Sequence, residues 1–298
     1  MNPGQPSQTA QTTAAIRALI TALPQQERIV VDPYAAAFLR GAFRQASRLL
    51  KVPGVPAAMF RTLELSTPGA LQYVGVRHRS FDDTVVEALD SGIKTVVVLG
   101  AGYDSRFGRL KREGVRFVEI DHPDTQAAKR AALRESFPDA ERSVQYVPVD
   151  FERDSWADAL GTIDHRGQPV MIVWEGCAWF LSEAAVSNTL KTLSAWAPTG
   201  SRIVFDTIDK RVVDGQRTDK DAQAFWDYAE ERGEPIRWGE DRASVGSFLQ
   251  QNEWSLNRVW SASDAAHGYG IARFMRPLSF MFYAYAEKRP ATNGRRAV

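Results

Sequence analysis

One cysteine, Cys177, is all that 298 residues contain. That excludes an intramolecular disulfide and any zinc site built on paired cysteines, and it fits a reducing cytoplasm. Histidine is nearly as scarce: His78, His122, His165 and His267 stand without metal-ligand spacing, so the sequence gives no reason to expect a metal. Neither sign of charge dominates. With 37 basic against 36 acidic residues, no global field draws the chain to nucleic acid or to an anionic membrane, and the expected partner is a small molecule. No apolar run approaches the roughly 20 residues that span a bilayer. The opening MNPGQPSQTAQTTA lacks the basic start and apolar middle of a signal peptide. Residues 1–13 are expected to be a disordered lead and 289–298 a solvated tail.

What the chain does have is 44% hydrophobic residues, enough for a full core. From residue 95 onward, short apolar runs alternate with helical patterns. TVVVL (95–99), RFVEI (116–120), VQYVPV (144–149), VMIVW (170–174) and SRIVFDTI (201–208) read as strands. Helices are expected over about 105–113, 124–136 and 182–196, the last capped by Ser182. Such alternation implies a mostly parallel sheet covered on both faces, with ligands at the carboxyl ends of the strands where strand order reverses.

Those ends carry the chemistry. The first strand runs into Gly100-Ala101-Gly102, where bare backbone lets a ligand touch the main chain. The second ends in Asp121, twenty-one residues after Gly100, the usual spacing for the acid that holds a ribose diol. The third ends in Asp150 and Phe151, an acceptor and an aromatic face for a purine, although an aspartate there also suits a helix N-cap. The fourth ends in Glu175, a carboxylate fit to meet a cationic group. Together these describe an adenosine whose far end is positively charged, as in S-adenosylmethionine. A dinucleotide fits less well, because Ser105 stands at the third glycine position and Glu175 is badly placed for a pyrophosphate.

The strings LGAGYDSRFGRL, VEIDHPDTQAAKR, PVDFERDSW and WEGCAWFLSEAAV resemble the leucine carboxyl methyltransferase-like family of S-adenosylmethionine-dependent methyltransferases. VVDPYAAAFL and GVRHRSFDDTVVEAL upstream are similar to that family's N-terminal extension. The resemblance implies an α/β, Rossmann-like class I methyltransferase: a mostly parallel seven-stranded sheet whose last strand, within LSFMFYAYAEK (278–288), inserts antiparallel beside the fifth. It implies a helical extension over 14–93 and a core over 94–288 with a cap-like insertion near 209–269, and strands near Val259 and Phe205 that complete the sheet. It further implies that Arg77 pairs with the carboxylate of the methionine moiety, that Gly100, Ala101 and Gly102 form the turn beside that moiety, that Asp121 accepts from the ribose hydroxyls, that Asp150 and Phe151 address adenine, and that Glu175 lies near the amino group. Arg79 lies one alternate position from Arg77, and Arg77 could instead bridge Asp82 or Asp83 on its own helix.

For the acceptor, the expectation is a small carboxylic acid or a hydroxyl or phenol, in secondary metabolism, and not a large protein surface. Trp179 and Phe180 are candidate pocket residues, with Phe180 standing where relatives commonly carry a tyrosine. Aromatics between 209 and 269, including Phe225, Tyr228, Trp238 and Trp254, could line an acceptor pocket, though most would serve an ordinary core. His267 is a candidate base, against the reading that it is a surface loop residue beside Gly268 and Gly270. A nicotinamide-dependent oxidoreductase and a non-catalytic binding protein remain the competing classes.

Overall fold

The computed structural model describes residues 7–149, 156–217, 220–231, 233–271 and 277–290. Among the described residues, four α-helices precede the first strand: α1 (Gln8–Ala22), α2 (Gly41–Ser47), α3 (Val55–Ser66) and α4 (Ala70–Asp90). The alternating half follows as β1 (Thr95–Leu99), α5 (Arg106–Arg109), β2 (Arg116–Asp121), α6 (Pro123–Ser136), α7 (Pro138–Arg142), β3 (Val144–Pro148), α8 (Trp156–Gly161), β4 (Val170–Trp174), α9 (Glu183–Trp196) and β5 (Arg202–Ile208). The chain closes with α10 (Lys210–Val213), α11 (Lys220–Glu231), α12 (Val245–Gln251), β6 (Ser255–Ser261), α13 (Ala262–Gly268) and β7 (Met281–Glu287).

The seven strands form one sheet in the order β3-β2-β1-β4-β5-β7-β6. β1 to β5 pair in parallel, and β7 runs antiparallel between β5 and β6. Strand order reverses between β1 and β4, so their carboxyl ends open the crevice where such sheets hold ligands. The period-2 alternation of strand side chains sorts the apolar residues onto two faces. Val96, Val98, Met171, Val173 and Val204 meet Val76, Phe81 and Val85 of α4, while Val97, Leu99, Ile172, Trp174 and Phe205 meet Val186, Leu190 and Leu193 of α9. Each such side chain, fully buried, stabilises the fold by about 1.5–3 kcal/mol. Helix α9 begins as its sequence implies, with the Ser182 side chain accepting from the Ala185 N–H at 3.3 Å.

Three expectations need correction. The disordered lead does not extend to residue 13: α1 starts at Gln8, capped by the Ser7 hydroxyl, which accepts from Ala10 N–H at 3.1 Å. The helix expected over 105–113 is a single turn, Arg106–Arg109, because exposed Lys111 to Gly114 carry the chain round through a left-handed Gly114 (φ 71°) into β2. The stretch 209–269 is cap-like only in part, since β6 completes the sheet, as expected of a strand near Val259, and α12 packs beside it. Trp238 and Trp254 from that stretch are core residues, each no more than 2% exposed. No helix among the described residues is long and apolar enough to cross a membrane.

Candidate active site

The turn after β1 needs glycine. Gly100 and Gly102 have φ of 58° and 49°, a left-handed backbone that costs any other residue but glycine, asparagine or aspartate dearly. A Cβ on Gly100 would also come within 2.9 Å of Cys177 Sγ. Both Gly100 and Ala101 donate to Ile120 O, at 2.8 and 3.3 Å, which ties the turn to the end of β2. Gly102 N–H donates to Asp121 Oδ2 at 2.5 Å, and His122 N–H donates to Asp121 Oδ1 at 2.6 Å. The structure therefore brings Gly100, Ala101, Gly102 and Asp121 together. Burial pushes the Asp121 carboxyl up while those two N–H groups hold it down, the net shift being upward. A carboxylate has about four lone-pair sites, so two remain for a ligand diol. The cradle and its acid fit a nucleoside. Asp150 and Phe151 lie outside the described residues, although Val149 N–H donates to Asp121 O at 2.9 Å just before them.

The β4 end is built differently, from converging charges. Glu175 Oε1 accepts from Arg77 Nε at 2.8 Å and Oε2 from Arg106 Nη2 at 2.6 Å, with His78 Nδ1 2.6 Å from Oε1. Arg77 Nη1 also reaches Asp206 Oδ2 at 3.4 Å, which in turn accepts from the Tyr73 hydroxyl at 3.1 Å. Arg106 continues the network to Asp104 and to Asp82, the latter at 2.8 Å, and Arg109 closes on Asp82. Burial alone would raise Glu175, but His78, Arg106 and Arg77 hold its carboxyl well below the usual range. Burial pushes His78 down to about 4 against the pull of Glu175, so the imidazole is neutral near pH 7. Burial pushes Asp206 up to about 6, with Arg77 opposing. Ligand atoms of His78, Asp104 and Glu175 lie within 4.8 Å of one another, yet Arg106 already occupies both carboxylates, so the cluster is an ion-pair network by its chemistry.

The two arginines of the extension lie in different surroundings. Arg77 is buried and faces the strand ends, whereas Arg79 pairs outward with Asp83 at 2.8 Å, with both side chains about half exposed. The cationic groups that meet Glu175 in this structure are the protein's own. Gly176 beside it has φ 69°, donates to Asp206 Oδ1 at 2.8 Å, and leaves room for the Arg77 guanidinium, which would lie 3.2 Å from a Cβ there.

Next to the β4 end opens a cavity of about 370 Å³ between α1, α2, α3, the start of α4 and α11. Arg77, Gly176, Trp179 and Phe180 lie at one side of it, and Leu39, Phe43, Met59, Phe225 and Tyr228 furnish much of the rest. His267 is not brought here: it sits exposed on α13 with Nδ1 2.8 Å from Ser263 O. Sequence reasoning also missed the start of α1, where Ala10 Cβ lies 3.1 Å from where a Gly102 Cβ would be, and where the cap Ser7 donates its N–H to Thr125 Oγ1 at 3.3 Å. It missed Arg106, His78 and Asp206 as well. A lone carboxylate inside the apolar FDTI run was the one local signal for Asp206.

Residues 10–194 match the model of the leucine carboxyl methyltransferase family. A relative from Frankia alni, named as a proposed S-adenosyl-L-methionine-dependent methyltransferase, is 32% identical over 235 residues, covering 77% of this chain and 79% of its own. One from Streptomyces avermitilis with the same kind of name is 32% identical over 236 residues, covering 77% and 80%. Among solved structures, a DUF574-family protein from Streptomyces avermitilis superposes with a TM-score of 0.58 at 14% identity, covering 93% of this chain and 97% of its own. A proposed methyltransferase from Thermobifida fusca gives 0.56 at 14% identity over 97% of each chain. At that identity the two structures speak for the fold alone. The chain belongs to the leucine carboxyl methyltransferase family, and its cofactor is S-adenosylmethionine.

Proposed function

We propose that this methyltransferase acts on an oxygen of a small molecule, a carboxylate or a hydroxyl or phenol, in secondary metabolism and in the cytoplasm, with no nucleic acid or membrane as partner. The observation that supports it is an apolar cavity of about 370 Å³ lined by Arg77 and Gly176 at the β4 end, whose wall residue Thr9 adjoins Ala10, the residue lying against the Gly102 turn. In this reading Gly100, Ala101 and Gly102 expose main chain to the methionine moiety, Asp121 accepts from the ribose hydroxyls, and Asp150 and Phe151 receive adenine. Arg77 turns its guanidinium to the methionine carboxylate, while Glu175 faces the amino group. When bound, the cofactor supplies an electrophilic methyl group on sulfonium. The protein's share of the work is to hold an oxygen nucleophile in line about 3 Å away and to exclude water. The walls formed by Phe43, Trp179, Phe180 and Phe225 suit the second task.

Calorimetric titration with S-adenosylhomocysteine, and separately with NADH, tests the cofactor assignment. Micromolar binding of the first, lost in Asp121→Ala, with no heat from the second, is the expected result. A screen of small carboxylic acids and phenols with radiolabelled cofactor then tests the acceptor class. Labelling of a protein substrate with no labelled small product would overturn it.

A further inference from the structure

Within the functional reading above, and resting on it, we propose that the acceptor is a neutral phenol or alcohol with an apolar body, and that Glu234 takes its proton. The charges lining the cavity carry the first half. Among the described lining residues Arg77 is the sole cation; it pairs with Glu175 at 2.8 Å and Asp206 at 3.4 Å, and in the reading above its remaining capacity serves the methionine carboxylate and not the acceptor. The other charged residues there are acids, Asp221 and Glu234. A carboxylate entering this cavity would lose its water without gaining a countercharge from the described lining residues, and would face the like charge of Glu234. A hydroxyl on an aromatic or aliphatic body meets neither penalty, and apolar walls receive the body.

The position of Glu234 carries the second half. It lies just beyond α11, half-buried, its own N–H donating to Ala229 O at 3.1 Å. From α1 the Thr9 hydroxyl donates to Oε2 and fixes the carboxylate. Thr9 adjoins Ala10, the residue that touches the Gly102 turn, so one turn of α1 spans from the glycine cradle to this acid. Cys177, packed against Gly100, reports the same proximity: burial first, and the charges of Asp121, Asp206 and Glu234 after it, push the thiol up to about 12. One hydrogen bond from Thr9 leaves the carboxylate with lone pairs for an incoming hydroxyl. A hydroxyl acceptor needs such a base, whereas a carboxylate needs none. In the step, the acceptor O–H bond breaks and its proton passes to Glu234. The oxygen lone pair forms the new C–O bond as the methyl–sulfur bond breaks, and the pair from that bond stays on sulfur. Glu234 then releases the proton to water.

The test uses a pair with the same apolar body, 4-heptylphenol and 4-heptylbenzoate, titrated into protein saturated with S-adenosylhomocysteine. The phenol is expected to bind at least about tenfold more tightly, and Glu234→Gln to raise benzoate affinity about tenfold while leaving S-adenosylhomocysteine affinity unchanged. With S-adenosylmethionine, Glu234→Gln is expected to lower kcat for the phenol by about 10²–10⁴-fold at constant KM, the usual share of general base catalysis. Tighter binding of the benzoate to the wild type, binding of neither probe, or phenol turnover that is absent in the wild type or undiminished in the variant would overturn the inference while leaving the cofactor reading intact. Failure of S-adenosylhomocysteine to bind would instead remove the cofactor reading, and this inference with it.

Discussion

At the carboxyl edge of the sheet, the β1–β2 end works by removing side chains and the β4–β5 end by crowding them. The first presents Gly100, Ala101 and Gly102 with a single acid, Asp121, hydrogen-bonded to the turn itself. The second buries Arg77, His78, Arg106, Glu175 and Asp206 in one contact network at the ends of two strands. A bare turn makes room for a ligand, and its energetic role in the fold is small. Buried ion pairs pay back their desolvation only when every partner is present, so the crowded end must hold the floor of the site rigid and is exposed to single substitutions. The two ends should therefore fail differently, one in binding and the other in stability.

The sharpest way to test that contrast is Arg106→Ala. Arg106 is fully buried and touches Asp82, Asp104 and Glu175. Its removal strands three acids without a shared cation, and the expected loss of stability is about 3–5 kcal/mol, read by urea denaturation. A change below about 1 kcal/mol would show that the network contributes no rigidity.

Acid should find the same end. His78 has its folded pKa lowered to about 4 from 6.5, so between those values the unfolded chain binds the proton that the fold refuses. Stability from His78 is then fully present above pH 6.5 and is lost as pH falls through about 4, a contribution of about 3 kcal/mol. Asp32 acts in the same direction lower down. Burial pushes it up, but Arg17 at 2.8 Å holds it to about 2, so its contribution is full above about pH 3.8 and is lost as pH falls through about 2. Asp206 opposes both, because a carboxyl raised to about 6 contributes stability below its unfolded value that is lost as pH rises through 6. His78→Gln isolates the first of these: the difference in stability between wild type and variant should shrink steadily from pH 6.5 to 4, measured by denaturation at each pH. A constant difference would mean that His78 is protonated in the fold.

The contrast also explains what the sequence could disclose. Gly100, Gly102 and Asp121 lie within twenty-two residues on consecutive elements, and their meeting follows from strand length and strand pairing alone. The five parallel strands and the α9 cap were legible for the same reason: local periodicity and local cap chemistry decide them. Glu175 was legible as a buried acid, but its partners were not. Arg106 and Arg77 stand 69 and 98 residues away in the chain, and Asp206 meets Arg77 across 129 residues. No spacing rule connects them, because tertiary packing of α4 and α5 against β4 and β5 creates the contacts. The start of α1 failed for a related reason. Its polar Gln and Thr residues look like a solvated lead, and only contacts with Thr125, Glu234 and the Gly102 turn, all remote in sequence, hold them in place.

At the bare end the expected loss is in ligand affinity. In the function proposed above, Asp121→Ala removes a charged acceptor from the ribose hydroxyls, worth about 1.5–3 kcal/mol per bond, so S-adenosylhomocysteine should bind at least about 100-fold more weakly by calorimetry. The stability lost should stay below that of Arg106→Ala, because the variant strands two backbone N–H groups and no buried ion. If Asp121→Ala instead unfolds the protein while retaining affinity, the two ends have exchanged roles.

The smallest expected effect lies away from both ends, and it calibrates them. The Ser182 hydroxyl caps α9 by accepting from Ala185 N–H at 3.3 Å, at an exposed helix start just past the site. Ser182→Ala leaves one orphan N–H to water and should cost about 1 kcal/mol, a shift in thermal midpoint of about 2–4 °C, with S-adenosylhomocysteine affinity unchanged. Helix α9 packs Val186, Leu190 and Leu193 on the sheet face opposite α4, so loosening its first turn should not reach Arg77. A measurable loss of affinity in this variant would show that the strand-end residues Glu175 and Gly176 depend on α9 for their position. The rigidity now assigned to the ion-pair network would then be shared with the helix behind it.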